Sequence, residues 1–113
     1  MKRYYTLIAV FLFATYIGIR MSPLPLSSRF PQPIFGIASW YEAESVRDAA
    51  SWYHRKGEVV EVTNLLNGKK VIVRIVSGGP DRKLMRVIDL AKEAFQELEV
   101  LEKGLVPVRI KRI

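Results

Sequence analysis

Hydrophobic and polar positions change pattern twice along the chain. Tyr4 to Ile19 is an uncharged run of 16 residues, apolar on every face, which follows Lys2 and Arg3 and stops at Arg20. As a helix rising about 1.5 Å per residue it would reach roughly 24 Å, slightly short of a hydrocarbon core of about 30 Å. The pattern predicts a signal peptide or signal anchor over residues 1–20, with the basic residues keeping its N-terminus on the cytoplasmic side. No clean small-x-small cleavage site follows, which favours the uncleaved anchor and hence a membrane as one partner. A helix buried in a domain is the competing reading, and it fits a run apolar all round less well. Pro23, Pro25, Pro31 and Pro33, with Ser22, Ser27 and Ser28 between them, then predict an extended linker over residues 21–35.

From Gly36 the period shortens to that of strands. Gly36 to Tyr41 is a first candidate strand, and Glu58 to Asn64 and Lys69 to Val76 are rich in β-branched residues. Between the last two, Leu65-Leu66-Asn67-Gly68 supplies the Asn-Gly pair of a tight hairpin, in which both residues adopt positive φ. In the second hairpin strand, Val71, Val73 and Ile75 face one way while Ile72, Arg74 and Val76 face the other, so burial on more than one side is expected. Ser77-Gly78-Gly79-Pro80 breaks the pattern. Leu90, Ala94 and Leu98 recur at spacing four with Phe95 beside them, predicting a short amphipathic helix with Asp89 as N-cap. Leu105 to Ile113 alternates again and predicts a last strand. The result is one mainly β domain over residues 36–113.

Composition narrows the chemistry. The 113 residues have room for a single domain. The net charge of +7 suggests an anionic polymer until it is divided by position. All 11 acids follow Tyr41, and only four of the 18 basic residues precede it, so the folded part is just mildly basic and nucleic acid is not an expected partner. Absence of cysteine removes disulfides, thiolate metal sites and a cysteine nucleophile. One histidine and scattered acids make no metal ligand set, and no Gly-rich phosphate loop is complete, so neither metal nor cofactor is expected.

Five segments, in order, resemble the rare lipoprotein A (RlpA) family of septal lytic transglycosylases. Gly36-Ile37-Ala38-Ser39-Trp40-Tyr41 is similar to the family's Gly-x-Ala-Ser-Trp-Tyr, and Gly57 to Leu65 to its Gly-Thr-x-Val-x-Val-Thr-Asn-Leu. Asn67 to Ile75, Arg86-Val87-Ile88-Asp89-Leu90 and Gly104 to Val108 complete the match. The resemblance implies a six-stranded double-psi β-barrel with one short helix, a location in the cell envelope, and action on peptidoglycan glycan strands to leave 1,6-anhydro ends. Three departures accompany it. Val76-Ser77-Gly78-Gly79-Pro80 stands where the family has Asn-Asp-Arg-Gly-Pro, Asp48-Ala49-Ala50-Ser51 stands for Thr-Ala-Ala-His, and the segment between Tyr41 and Asp48 is short. A binding or protein-interaction module on the same barrel is therefore the alternative.

The resemblance makes Asp89 the candidate catalytic carboxyl, and one such group can protonate the glycosidic oxygen and then take the proton from the sugar's own hydroxyl. Capping of the following helix is the competing role for Asp89. Trp40, Tyr41 and Trp52 are candidate substrate-binding rings, because flat aromatic faces suit pyranose rings. In each of the pairs Trp40-Tyr41 and Trp52-Tyr53, alternation would bury one ring and expose the other. Ser51 is a candidate sugar contact or turn cap, and Arg86, with Lys69, Lys70, Arg82 and Lys83, a candidate partner for stem-peptide carboxylates or a solvated basic face. His54 reads as a solvated turn residue or a proton shuttle, and Glu42 and Glu44 as surface charge or a substitute carboxylate.

Overall fold

The computed structural model describes residues 31–80 and 85–113. The expected apolar segment, the linker up to Phe30, and Arg82 and Lys83 lie outside the described residues. Among the described residues no helix is long and apolar enough to cross a membrane.

Six strands close into a barrel. They are β1 (Ile34–Tyr41), β2 (Asp48–Ala50), β3 (Val59–Asn64), β4 (Lys70–Ser77), β5 (Arg86–Ala91) and β6 (Val106–Arg112). The order around the barrel is β1-β5-β2-β4-β3-β6, with β1/β5 and β2/β4 parallel and the other four junctions antiparallel. Closure leaves no unpaired sheet edge. Inward positions alternate along each strand, so Val60 and Val62, Val71, Val73 and Ile75, Ile88 and Leu90, and Val106, Val108 and Ile110 fill the interior. Each such side chain contributes about 1.5–3 kcal/mol on burial.

Strand β4 is buried on one face only. Its pattern alternates strictly, and Ile72 lies half exposed, so the expected two-sided burial is not found. Two neighbours, β2 and β3, occupy its edges, and nothing among the described residues covers its outer face over Ile72. The β3/β4 hairpin forms where Asn-Gly predicts it, but of that pair only Gly68 takes positive φ, +78°. Asn67 instead receives the Lys69 N–H on Oδ1 and donates from Nδ2 to the Leu98 carbonyl, which Asn64 Nδ2 also reaches at 2.8 Å. The loop is thereby tied to the segment after the helix.

The helix is shorter than its periodicity predicts. It spans Lys92–Gln96 (α1), its N-cap is Ala91, and no side chain caps it. Leu90 and Ala91 belong to β5, where the carbonyls and N–H groups that would open a longer helix are taken up by β1 and β2. The spacing of Leu90, Ala94 and Leu98 reflects burial, which is complete at all three, rather than one continuous helix. Asp89 is thus an interior residue of a strand, and its expected role as N-cap is corrected. A 3-10 turn at Leu101–Lys103 leads into β6.

Gly36 shows how tightly β1 and β5 are joined. A Cβ there would overlap the Val87 side chain and lie 2.8 Å from the Met85 carbonyl oxygen, which is backbone and has little room to yield. Gly36→Ala is expected to destabilise the barrel by about 1–3 kcal/mol, as overpacking does elsewhere. Urea unfolding of the two proteins, compared at equal m-value, measures it.

Candidate functional site

Pairing of β5 on both edges sets up the site. Ser39 of β1, Asp89 of β5, Ala50 of β2 and Ser77 of β4 stand in register in one row across four strands. Ala38 and Trp40 on either side of Ser39, and Ile88 and Leu90 on either side of Asp89, pack on the core, so Ser39 and Asp89 face the other way, while Ser77, beyond the register shift at Ala49 and Ala50, is exposed at the end of β4. Asp89 keeps about one fifth of its side chain exposed, and its Oδ1 accepts a 2.7 Å hydrogen bond from Ser39 Oγ. Arg86 donates to the same Ser39 Oγ from Nη2 at 2.8 Å and from Nε at 3.3 Å. The guanidinium lies 4.0 Å from Asp89 Oδ1, too far for a hydrogen bond. Arg86 thus has Nε and Nη2 turned onto Ser39, while about a third of its side chain stays exposed.

Tyr41 follows Ser39 by two residues and shares its outward face. Burial pushes its phenol above the ordinary tyrosine value, and the negative charges of Asp48, Asp89 and Glu44 add to the effect. It therefore stays protonated at neutral pH and can donate a hydrogen bond beside the carboxylate. Trp40 points the other way. It packs against the core and donates its indole N–H to the Leu101 carbonyl, which takes it off the Asp89 face. In the second pair Tyr53 packs on the core and Trp52 is 53% exposed, so each pair divides between interior and surface.

Of the two roles expected for Ser51, the structure gives it that of turn cap, and it places His54 in neither of its expected ones. Ser51 is 1% exposed, donates to the Val87 carbonyl, receives the Tyr53 N–H, and sits 3.0 Å from His54 Nδ1. A sugar cannot reach that hydroxyl. His54 is buried as well, with Nε2 3.2 Å from Gln32 Oε1, so it is neither a solvated turn residue nor placed to shuttle protons to Asp89. Burial pushes its imidazole below the ordinary value; Glu58 opposes this and Arg112 adds to it, both in smaller measure. A serine next to a histidine suggests a nucleophile, but no acid orients His54 and the pair is enclosed, so it ties the turn after β2 to β5.

Trp52 owes its position to Gly78. A Cβ at residue 78 would fall on the indole ring, 2.7 Å from Cε3, and one at Gly79 would lie 2.7 Å from the Ser51 Cα. The six-membered edge of the ring thus occupies the space a side chain at 78 would need, and about half of the residue stays exposed. No arginine could occupy position 78 without evicting it. Glu42 pairs with Lys92 at 3.1 Å and is three-quarters exposed, which makes it surface charge. No three His, Asp or Glu side chains gather within metal-binding range among the described residues. Ser39 is the site residue that the sequence does not single out by itself, its one signal being its place in the Gly-x-Ala-Ser-Trp-Tyr segment.

A closed six-stranded barrel crossed by two parallel pairs, with a carboxylate on the outer face of β5, defines the protein class as a double-psi β-barrel. The family model described as lytic transglycolase matches residues 35–110, and the chain belongs to that family. A relative from Aquifex aeolicus, named a probable endolytic peptidoglycan transglycosylase RlpA, is 36% identical over 95 residues, covering 72% of this chain and 42% of its own length. One of the same name from Treponema pallidum is 50% identical over 56 residues, covering 50% of this chain and 17% of the relative. The chain thus spans less than half the length of these relatives. Among solved structures, an expansin variant of Clavibacter michiganensis in complex with cellohexaose has a TM-score of 0.60 at 17% identity over 73% of this chain and 50% of its own. A Streptomyces papain inhibitor has a TM-score of 0.60 at 22% identity over 75% of this chain and 97% of its own. Both show the same fold.

The buried His54 gives the barrel a signed response to pH. Because its folded value is depressed, the unfolded chain takes up a proton first as pH falls through about 6.5, and stability is lost there until the folded form titrates too. Between pH 7.5 and 5 the wild type is expected to lose more Tm than His54→Asn, whose carboxylates titrate alike. The sign of that difference is the expected outcome, and equal losses in the two proteins would remove His54 as its source. Parallel calorimetric scans test this.

Proposed function

We propose that this chain acts on the glycan strands of peptidoglycan as an endolytic lytic transglycosylase, with Asp89 as its single acid and base. The observation that carries the reading is the position of Asp89. Its carboxylate stands on the outer face of β5, has one oxygen held by Ser39, and is not consumed by helix amides. In the first step the protonated carboxyl gives its proton to the glycosidic oxygen as the bond to the anomeric carbon breaks. In the second, the carboxylate takes the proton of the same sugar's C6 hydroxyl as its oxygen bonds to that carbon, closing the 1,6-anhydro ring. No water enters, and the carboxyl is restored. The Tyr41 hydroxyl is a donor for a sugar oxygen beside Asp89, and the exposed part of Trp52 a stacking platform for a pyranose.

Relatives named for peptidoglycan transglycosylase activity support the substrate class. An envelope location goes with it: we read residues 1–20 as a signal peptide or anchor, the stretch from there to the start of β1 at Ile34 as a spacer two residues shorter than the pattern predicts, and the rest as the barrel held outside the cytoplasm. The second reading, a barrel that binds glycan without cutting it, is favoured by Ser77 and Gly78, which put neither an acid nor a base where the family has Asp-Arg.

Purified full-length protein incubated with peptidoglycan strands should release 1,6-anhydro products detectable by mass spectrometry. Asp89→Asn should lower the rate at least about a hundredfold, the usual weight of a positioned acid or base, while His54→Asn retains product formation. Binding to sacculi with no product from the wild type would support the binding module instead. Trp52→Ala should weaken strand binding about two- to tenfold, the range expected for one lost aromatic stacking contact. Co-sedimentation with sacculi measures it, and unchanged binding would remove Trp52 from the site.

A further inference from the structure

We propose that Arg86 and Ser39 are positioning residues that give the two oxygens of Asp89 separate tasks, Oδ1 being held while Oδ2 carries the proton. The catalytic consequence rests on the acid/base reading of Asp89, but the relay is a property of the site itself. A serine hydroxyl has one hydrogen and two lone pairs, and a guanidinium can only donate. Arg86 directs Nη2 and Nε into Ser39 Oγ at 2.8 and 3.3 Å. The accepting side of that oxygen is thereby filled by a group that takes nothing back. The single hydroxyl hydrogen is left for Asp89 Oδ1, 2.7 Å away. The direction Arg86 to Ser39 to Asp89 is therefore fixed by the chemistry of its first member.

Two further features make the relay rigid. Ser39 is 5% exposed, so water does not compete for its hydroxyl. Ser39 and Asp89 are also paired in register between β1 and β5, so their backbones hold hydroxyl and carboxylate side by side. Rotation of an aspartate carboxyl about χ2 is otherwise loosely restrained, and an unclamped group would present either oxygen. Here Oδ1 already accepts the Ser39 hydrogen and lies on the side of the guanidinium. Oδ2 has no hydrogen-bond partner among the described residues and is the oxygen left to meet substrate. The guanidinium stands 4.0 Å from the carboxylate, so its hold passes through the hydroxyl, with through-space attraction as a lesser addition.

The test uses the full chain, three single variants and the Ser39→Ala/Arg86→Met double variant. Ser39→Ala should lower kcat roughly ten- to a hundredfold with KM unchanged, the scale of a slightly misplaced catalytic group. It should also move the alkaline fall of the pH–rate profile to higher pH, because the ionised carboxylate has lost a donor. Ser39→Thr, which keeps the hydroxyl, should restore both. Arg86→Met should produce the same displacement in smaller measure and add little to Ser39→Ala, as expected for two residues acting in series. An Ala variant with unchanged kcat and an unmoved profile overturns the proposal. If the wild type releases no anhydro product, the Asp89 carboxyl carbon is followed by NMR against pH. A Ser39→Ala curve superimposable on the wild type then overturns the relay, and a displaced curve supports it whatever becomes of the enzymatic reading.

Discussion

Strand β5 is hydrogen-bonded along both edges, parallel to β1 and antiparallel to β2, and the site exists because of that double pairing. A segment with the sequence Arg-Val-Ile-Asp-Leu-Ala ahead of a helix could have ended in a cap, with the carboxylate folded back onto the first amides. Pairing through Ala91 forbids it. The backbone of Asp89 is committed to neighbours on either side, the helix starts at Lys92, and the carboxylate projects outward at a fixed height between Ser39 and Ala50. Parallel pairing matters as much as burial. It puts Ser39 and Asp89, 50 residues apart in sequence, side by side with a short hydrogen bond.

A similar exchange of side chain for backbone shapes the other end of the row. Glycines at 78 and 79 remove every atom beyond Cα from two positions, and the turn after β2 settles into that space, with the Ser51 backbone against Gly79 and the Trp52 ring on Gly78. Ser51 then turns inward to the Val87 carbonyl, and His54 closes over it. These are coupled choices. An arginine at 78 would displace the indole, and displacing the indole would loosen the turn whose serine is bonded to β5.

Much of this fold was legible, because the interior is apolar and the strands alternate. Val60 and Val62, Val71 to Ile75, and Val106 to Ile110 declare their inward faces with period two, and Asn67-Gly68 marks the turn between β3 and β4. Periodicity failed for β2 and β5, for different reasons. Three residues, Asp48–Ala50, are too few for a period to appear. In β5, Leu90 serves the strand while also lying four residues before Ala94, so a strand running into a helix reads as one longer helix. At the site, residue type singled out Asp89, Tyr41, Trp52, Trp40, Ser51 and Arg86 alike, and left open which ring of each pair is buried and whether Ser51 caps a turn. Nothing local distinguishes an indole that bonds Leu101 from one that faces solvent, or a serine that bonds Val87 from one that could bond a sugar. Those distinctions depend on partners 36 to 61 residues away.

A lone carboxylate that must first give a proton and then take one faces a constraint that paired carboxylates do not. Two acids divide the tasks by position, so each needs to be correct only once. One acid must face the same bond before and after transfer, while its own charge changes from neutral to negative. A clamp made of a second titrating group would change with it, and one made of water would reorganise. A serine held from behind by a guanidinium does neither, since arginine keeps its charge and the hydroxyl has only one direction left in which to donate. The residues this chain keeps and those it exchanges then fall into two groups. Ser39, Arg86 and Asp89 form a single connected unit joined through the hydroxyl at position 39. Positions 51, 77 and 78 lie outside that unit, and the barrel accommodates other side chains there by repacking one turn.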